Sequence, residues 1–283
     1  MGKLNLRAAV VPVLLVVAVV AAACGHSPTA NSPTGQASVA YAGSLLKVNE
    51  QVIGPGFSRA THYGYQGRGA GSIGLAKEIA AGEINPGVFM SVGPGPIAEL
   101  EPRWSGYYVE LLSSPLVVAY NPHSRFGPQL AAIASGRQPL SALFSMMAEP
   151  GFRLGRTNPN TDPQGQAFVE MVELAQSTLG LPPNTVSAVL GSVDNPSQIF
   201  AETALDSQLE AGSLDAASAF ASQAIQLKLP YISLPASIDF GDPALASDYA
   251  KATVTLSSGQ VVHGSPLVVD VTTLDSPAHP LPA

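Results

Sequence analysis

Residues 154–165 read LGRTNPNTDPQG, and the fold class follows from what this stretch has to do. Residues 152–155 are a short, mostly apolar run, suited to a buried strand. Asn158-Pro159-Asn160-Thr161-Asp162-Pro163 is turn chemistry. Proline presets φ, and Asn and Asp bond their own backbone two residues on. From about residue 164 to 179, Phe168, Met171, Val172, Ala175 and Leu179 recur at helical spacing. The stretch is therefore strand, turn, helix. Asp162 stands at the helix start, where an Asx-turn or an N-cap is its ordinary role.

The same grammar repeats on both sides. Residues 37–42 form an apolar run stopped by Gly43. Ser44 then reads as an N-cap, with Leu45, Val48 and Val52 at helical spacing and Gly54-Pro55-Gly56 as the stop. Gly71-Ser72 opens a second helix over 73–81, closed by Gly82. Strands are expected at 88–92, 115–121, 214–220, 231–234 and 266–271, and a helix at 197–210. Strands alternating with helices imply sheets that are mostly parallel and flanked by helices.

Three of these junctions share one character: Ala42-Gly43-Ser44, Ala70-Gly71-Ser72, and Thr161 to Gly165. A helix N-terminus offers free N–H groups and about half a positive charge, so it can hold an anion without Lys or Arg. Gly permits close backbone approach, and Ser adds a hydroxyl. In open α/β sheets such loops gather where ligands bind. For Ser44 or Ser72 taken alone, simple capping explains the residue as well.

The N-terminus is an export signal of the lipoprotein kind. Lys3 and Arg7 precede an uncharged run of Ala, Val and Leu, and Ala21-Ala22-Ala23 leads into Cys24. Cys24 is the one cysteine of the chain, so it has no internal disulfide partner. Residues 24–36 are small and polar, a tether. Without Lys3 and Arg7 the 13 basic residues fall to 11 against 20 acidic, a net charge of −9. That balance argues against a nucleic-acid partner. An anion would be held by local dipoles, not drawn by net charge.

These residues together resemble the molybdate/tungstate-binding proteins of ABC importers. AGSLL at 42–46 and AGS at 70–72 are similar to that family's two anion-binding loops. VFMSV at 88–92, PLVVAYNP at 115–122, LEAGSLDAASAF at 209–220 and LPYISLP at 229–235 follow in the family's order. LGRTNPNTDPQG resembles its Gly-Arg-(Thr/Ser)-(Asp)-Pro-Asn-x-Asp-Pro-x-Gly hallmark. The match covers nearly all of 37–272.

The resemblance implies an α/β, two-lobed periplasmic-binding-protein fold of the second type, each lobe a mixed, mostly parallel sheet flanked by helices. Lobe 1 would be 37–116 with a returning strand at about 266–275, and lobe 2 would be 117–265. The ligand would lie between them. Gly43, Ser44, Gly71 and Ser72 would give donors from the first lobe, and the N–H groups of Gln164 and Gly165 from the second. Asp162 matches a family carboxylate that touches the metal centre of the oxyanion.

There are two departures. Where the family is expected to carry a second carboxylate as a glutamate, this chain has Ala219, and Phe220 replaces a ligand-facing tyrosine, with Ser218 or Ser222 as substitute donors. The end of the chain, SPAHPLPA, is proline-rich where the family has a closing helix. The expected function is capture of molybdate or tungstate by a monomer, anchored through lipid on Cys24, and delivery to an importer permease. Sulfate or phosphate binding, or a lipoprotein that no longer binds tightly, are the alternatives. Four or five bonds to a charged ligand at roughly 1.5–3 kcal/mol each give about 6–15 kcal/mol gross, less several kcal/mol for association.

No enzyme, cofactor or resident metal is expected. GAGSIG at 69–74 satisfies GxGxxG, but no strand is evident before it. No P-loop or GxSxG appears. His26, His62, His123, His263 and His279 lack ligand spacing. Arg68 and Arg156 lie near the loops and could face the anion or brace Asp162.

Overall fold

The computed structural model describes residues 34–275. The leader, Cys24, His26, most of the tether and the proline-rich end with His279 lie outside the described residues. Among the described residues eleven strands form: β1 (Gln36–Ala42), β2 (Gly64–Ala70), β3 (Val88–Val92), β4 (Val109–Ser113), β5 (Leu116–Tyr120), β6 (Leu154–Gly155), β7 (Ala216–Phe220), β8 (Tyr231–Ser233), β9 (Thr253–Thr255), β10 (Val261–His263) and β11 (Val268–Thr273). They make a five-stranded sheet in the order β2-β1-β3-β11-β4, a four-stranded sheet β6-β7-β5-β8, and the hairpin β10-β9.

The sheets are mixed, but not mostly parallel. β1 runs parallel to β2 and β3, and β6 to β7. The pairings of β11 with β3 and β4, and of β5 with β7 and β8, are antiparallel. Parallel pairing follows from helical crossovers over one sheet. β5 and β11 are instead entered by direct passes between sheets, one at Ser114-Pro115 and one just before Leu267. The passes are tied together: Ser114 N–H donates to the Leu267 carbonyl at 3.2 Å, and the Ser113 hydroxyl to the same carbonyl at 3.1 Å.

Alternation along β5 covers the second sheet on both faces. Leu116, Val118 and Tyr120 join the large core with Phe168, Met171 and Val172 of the helix Pro163–Thr178. Val117 and Ala119 face the opposite layer, where Ala217 and Ala219 pack on Leu205 and Leu209 of the helix Glu202–Glu210. A third cluster packs Leu75, Ala76 and Ile79 of the helix Ser72–Ala81 against Ala40 and Phe89 of the first sheet.

Three local expectations change. Gly54-Pro55-Gly56 does not stop the first helix. A π-helical turn at Asn49–Ile53 leads into the helix Gly54–Thr61, with Pro55 in its first turn. A widened turn is a usual way to carry a chain past a proline that lacks an N–H. The helix expected at 197–210 begins only at Glu202, because residues 198–200 bond to the backbone of Arg156. Finally, a strand does precede GAGSIG. β2 carries no apolar alternation because Tyr41 lies across it: a Cβ at Gly67 or Gly69 would meet that ring at 2.8 Å.

Candidate functional site

The three glycine-serine-aspartate junctions converge, and they converge on a residue that the sequence reading passed over. β1 ends at Ala42, and Gly43-Ser44 turn at once into helix. β2 ends at Ala70, and the helix Ser72–Ala81 starts two residues later. From the other sheet, the turn after β6 brings Thr161 and Asp162 against Gly71. A Cβ at Gly71 would sit 2.5 Å from the Thr161 carbonyl oxygen and 3.0 Å from the Asp162 Cβ. A Cβ at Gly43 would sit 2.4 Å from Oε2 of Glu202. Close approach, not backbone angle, therefore selects glycine at both positions, most strictly at Gly71, where the neighbour is backbone.

Asp162 and Glu202 are the chemical centre. Asp162 is 4% exposed and Glu202 4%. Asp162 Oδ1 accepts from Gln164 N–H at 2.8 Å, capping its helix. Burial pushes its carboxyl up to about 7, against the pull of that Gln164 N–H. Burial also raises Glu202 well above the usual carboxylate range, and the Asp162 charge adds to it. The N–H groups of Ser44 and Gly43 and the Ser44 hydroxyl face the Glu202 carboxyl and oppose the shift. The effect is one-sided: the Asp162 charge adds to the shift of Glu202, while a hydrogen bond from Glu202 pulls Asp162 back down.

The remaining predicted residues surround this pair. Ser72 is buried, and its hydroxyl oxygen accepts from Val92 N–H at 3.0 Å, which leaves its own proton to donate. The Ser218 hydroxyl donates to Gln164 Oε1 at 2.7 Å, so the Gln164 amide turns its Nε2 end away, where it has no partner. Gln164 and Gly165 do not offer free backbone donors: the Gln164 N–H goes to Asp162 Oδ1 and the Gly165 N–H to the Asp162 carbonyl at 3.1 Å. Asp162 caps its own helix, and the donor that remains is the Gln164 side chain. Thr157 Oγ1 and Glu202 Oε1 are likewise buried without partners. A cavity of about 410 Å³ is lined by Gly71, Thr157, Asp162 and Glu202, among others.

Ala219 packs on the helix Glu202–Glu210 and turns away from this layer, so a carboxylate there would enter an apolar cluster. The acid that lies beside Asp162 is the first-turn glutamate of that same helix, Glu202. A helix over 197–210, as expected from the sequence, would put Glu202 in its interior; with the helix starting at Glu202, the residue lies in the first turn. Neither arginine touches Asp162. Arg68 is exposed and pairs with Glu78 at 2.6 Å. Arg156 is buried and bonds the loop 192–198. His62, His123 and His263 are exposed, and no group of three metal-ligating side chains occurs among the described residues.

GAGSIG now lies between strand and helix, as a dinucleotide loop would. Its mouth, however, is filled by Thr161, whose carbonyl accepts from Gly74 N–H at 3.0 Å, and by Asp162. A carbonyl and a carboxyl are no cradle for pyrophosphate.

Mixed sheets joined by two direct passes, with the site where their loops meet, define the periplasmic binding-protein fold. The same fold occurs in the periplasmic molybdate-binding protein of Azotobacter vinelandii, with a TM-score of 0.56, 18% identity, and coverage of 85% of this chain and 86% of that one. Residues 37–280 match the family of bacterial extracellular solute-binding proteins, and the chain belongs to it. A Haloferax volcanii protein, named as a candidate ABC transporter molybdenum-binding protein, is 32% identical over 198 residues, 70% of this chain and 60% of its own length. A molybdate/tungstate-binding protein of Pyrococcus abyssi is 28% identical over 196 residues, 62% of this chain and 55% of its own length. The chain thus spans under two thirds of these two relatives. They are named as binding proteins, not enzymes.

Proposed function

We propose that this protein captures molybdate or tungstate outside the cytoplasm, held to the membrane by lipid on Cys24, and delivers it to an ABC importer. The lobes would be 37–116 with 266–275, and 117–265, working as a monomer. One observation carries the reading. Asp162 and Glu202, from two different loops, face one another at the point where Gly43-Ser44 and Gly71-Ser72 begin helices. Dipoles, hydroxyls and the free Gln164 Nε2 suit a tetrahedral anion. Two carboxyls beside them suit an oxyanion whose central metal accepts further oxygen ligands. The names of the relatives agree with this choice.

Phosphate is the second reading, favoured by one feature. Glu202 Oε1 is buried without a partner, and a protonated phosphate brings an O–H that needs an acceptor. Sulfate brings none. Calorimetric titration of residues 37–283 with molybdate, tungstate, sulfate and phosphate at neutral pH tests both. Tight binding of molybdate and tungstate with weak sulfate is expected. Silence toward all four sinks capture and leaves a lipoprotein without this ligand.

A further inference from the structure

Among the described residues Arg156 is the largest side chain wholly out of solvent, and none of their carboxylates lies within ion-pair distance of it. Burial lowers its proton affinity and only the Asp194 charge, beyond ion-pair distance, opposes that, so its hydrogen-bond neighbours should reveal what it does. They are all on one segment. Its Nε donates to Gln198 Oε1 at 3.1 Å, and one Nη donates to the carbonyls of Ser192 at 3.0 Å and Val193 at 2.7 Å. Its backbone joins the same segment: Arg156 N–H donates to the Gln198 carbonyl at 2.8 Å, and Phe200 N–H to the Arg156 carbonyl at 3.0 Å. Ile199 forms an isolated parallel bridge with it. Gln198 is braced in turn by a bond from its Nε2 to the Val189 carbonyl at 2.8 Å.

Two residues beyond Phe200 the chain reaches Glu202. In the other direction, Arg156 leads directly into Thr157 and the turn that carries Asp162. Both buried acids hang from one clamp. We propose that Arg156 is a positioning residue that fixes the separation of the Asp162 and Glu202 carboxyls, and thereby which tetrahedral oxyanion the site accepts.

The fork geometry explains why arginine is needed. A planar guanidinium reaches three acceptors at fixed angles, whereas a lysine ammonium at the same place is a single point. Without the clamp, the segment 192–200 keeps its backbone bridge but loses the side-chain ties that set its depth. Glu202 then moves relative to Asp162. Hydrogen bonds to a sulfate held by dipoles alone should tolerate that shift. Two carboxyls closing on one metal centre should not, because metal ligands need their supporting partners in place.

The inference rests on the oxyanion reading, and the test separates the two. Wild type, Arg156→Lys and Gln198→Ala are titrated with molybdate and sulfate, and molybdate-loaded samples are examined by Mo K-edge X-ray absorption. Circular dichroism checks the fold. The expected result is a molybdate affinity lowered roughly 10- to 100-fold in both variants. Sulfate affinity should change far less, and the oxygen shell around Mo should be smaller. A folded variant of either kind that keeps the wild-type affinity ratio and Mo shell overturns the positioning role alone. If Arg156→Lys does not fold, Gln198→Ala decides by the same criteria. Wild type that binds neither anion overturns the oxyanion reading and the inference with it.

Discussion

Asp162 and Glu202 stand 40 residues apart in sequence at the starts of two helices, and the Asp162 charge raises the proton affinity of Glu202, while the hydrogen bond from Glu202 lowers that of Asp162. Asp162 faces the N-terminus of the helix Ser72–Ala81 and Glu202 that of the Gly43–Leu45 turn. The pair therefore belongs to both sheets at once, since each acid comes from one sheet's loops and is received by the other's.

Removing one acid should affect binding and stability in opposite senses. Glu202→Gln and Asp162→Asn are expected to weaken molybdate binding roughly 10- to 100-fold, as loss of a metal-facing carboxylate does. In the ligand-free protein at pH 8, Glu202→Gln should raise Tm, because the buried acid, ionised in the unfolded chain, has to take up a proton on folding and a neutral amide does not. Calorimetric titration and thermal unfolding on the same samples check both. A Glu202→Gln variant with wild-type affinity would show that the second acid takes no part.

Ser72 should matter twice. Its hydroxyl accepts from the buried Val92 N–H. Ser72→Ala leaves that donor unpaired, at about 1–3 kcal/mol. Unfolding should shift accordingly, and anion binding should weaken as well. Ser44→Ala should leave Tm nearly unchanged and act on binding. The double variant should abolish detectable binding in calorimetry. Equal Tm losses in the two single variants would contradict this division.

Gly71 is the point where a single methyl should disconnect the sheets. A Cβ there meets backbone, the Thr161 carbonyl oxygen at 2.5 Å, which cannot rotate aside as a side chain would. Gly71→Ala should cost about 1–3 kcal/mol by overpacking, felt mainly where the helix Ser72–Ala81 meets the 158–162 turn. Hydrogen exchange should report faster exchange at Gly74 N–H, whose acceptor is the same carbonyl. Unchanged protection there would place the strain elsewhere.

Much of this architecture was legible because it rests on local chemistry. The strand-turn-helix at 154–165 and the helix starts at Ser72 and Asp162 are written in Gly, Ser, Asp and Pro. What escaped was set by distant partners. β2 is a strand whose glycines serve the Tyr41 ring, so it has no apolar period to read. The start of the helix at Glu202 is fixed by backbone bonds to Arg156, more than 40 residues earlier. The expectation of a second acid at position 219 comes from the family resemblance, and the residues around 197–210 carry no local sign that Glu202 opens a helix beside Asp162. The backbone N–H groups of Gln164 and Gly165, donors by family resemblance, are engaged here for a related reason. Once Asp162 caps its own helix, those N–H groups are spent.

Glu170 gives the last prediction, a pH dependence independent of ligand. It lies on the helix Pro163–Thr178 at 2% exposure, with Oε1 unpartnered beside a small cavity of about 30 Å³. Burial pushes its carboxyl up to about 8, and the neighbouring Glu173 adds to the shift. In the unfolded chain a glutamate releases its proton near pH 4.3. Between those two values the folded state binds more protons than the unfolded state, so stability falls as pH rises. The slope is at most about 1.4 kcal/mol per pH unit for one group. Asp162, raised to about 7, acts in the same direction over a narrower range. Tm of the ligand-free protein should therefore be higher at pH 5.5 than at pH 8. Glu170→Gln should raise Tm at pH 8 and raise it less at pH 5.5, because the cost of proton uptake on folding grows with each pH unit above about 4.3. Parallel Tm profiles for wild type and variant across that range would mean that Glu170 reaches water in the folded protein and titrates as an ordinary acid.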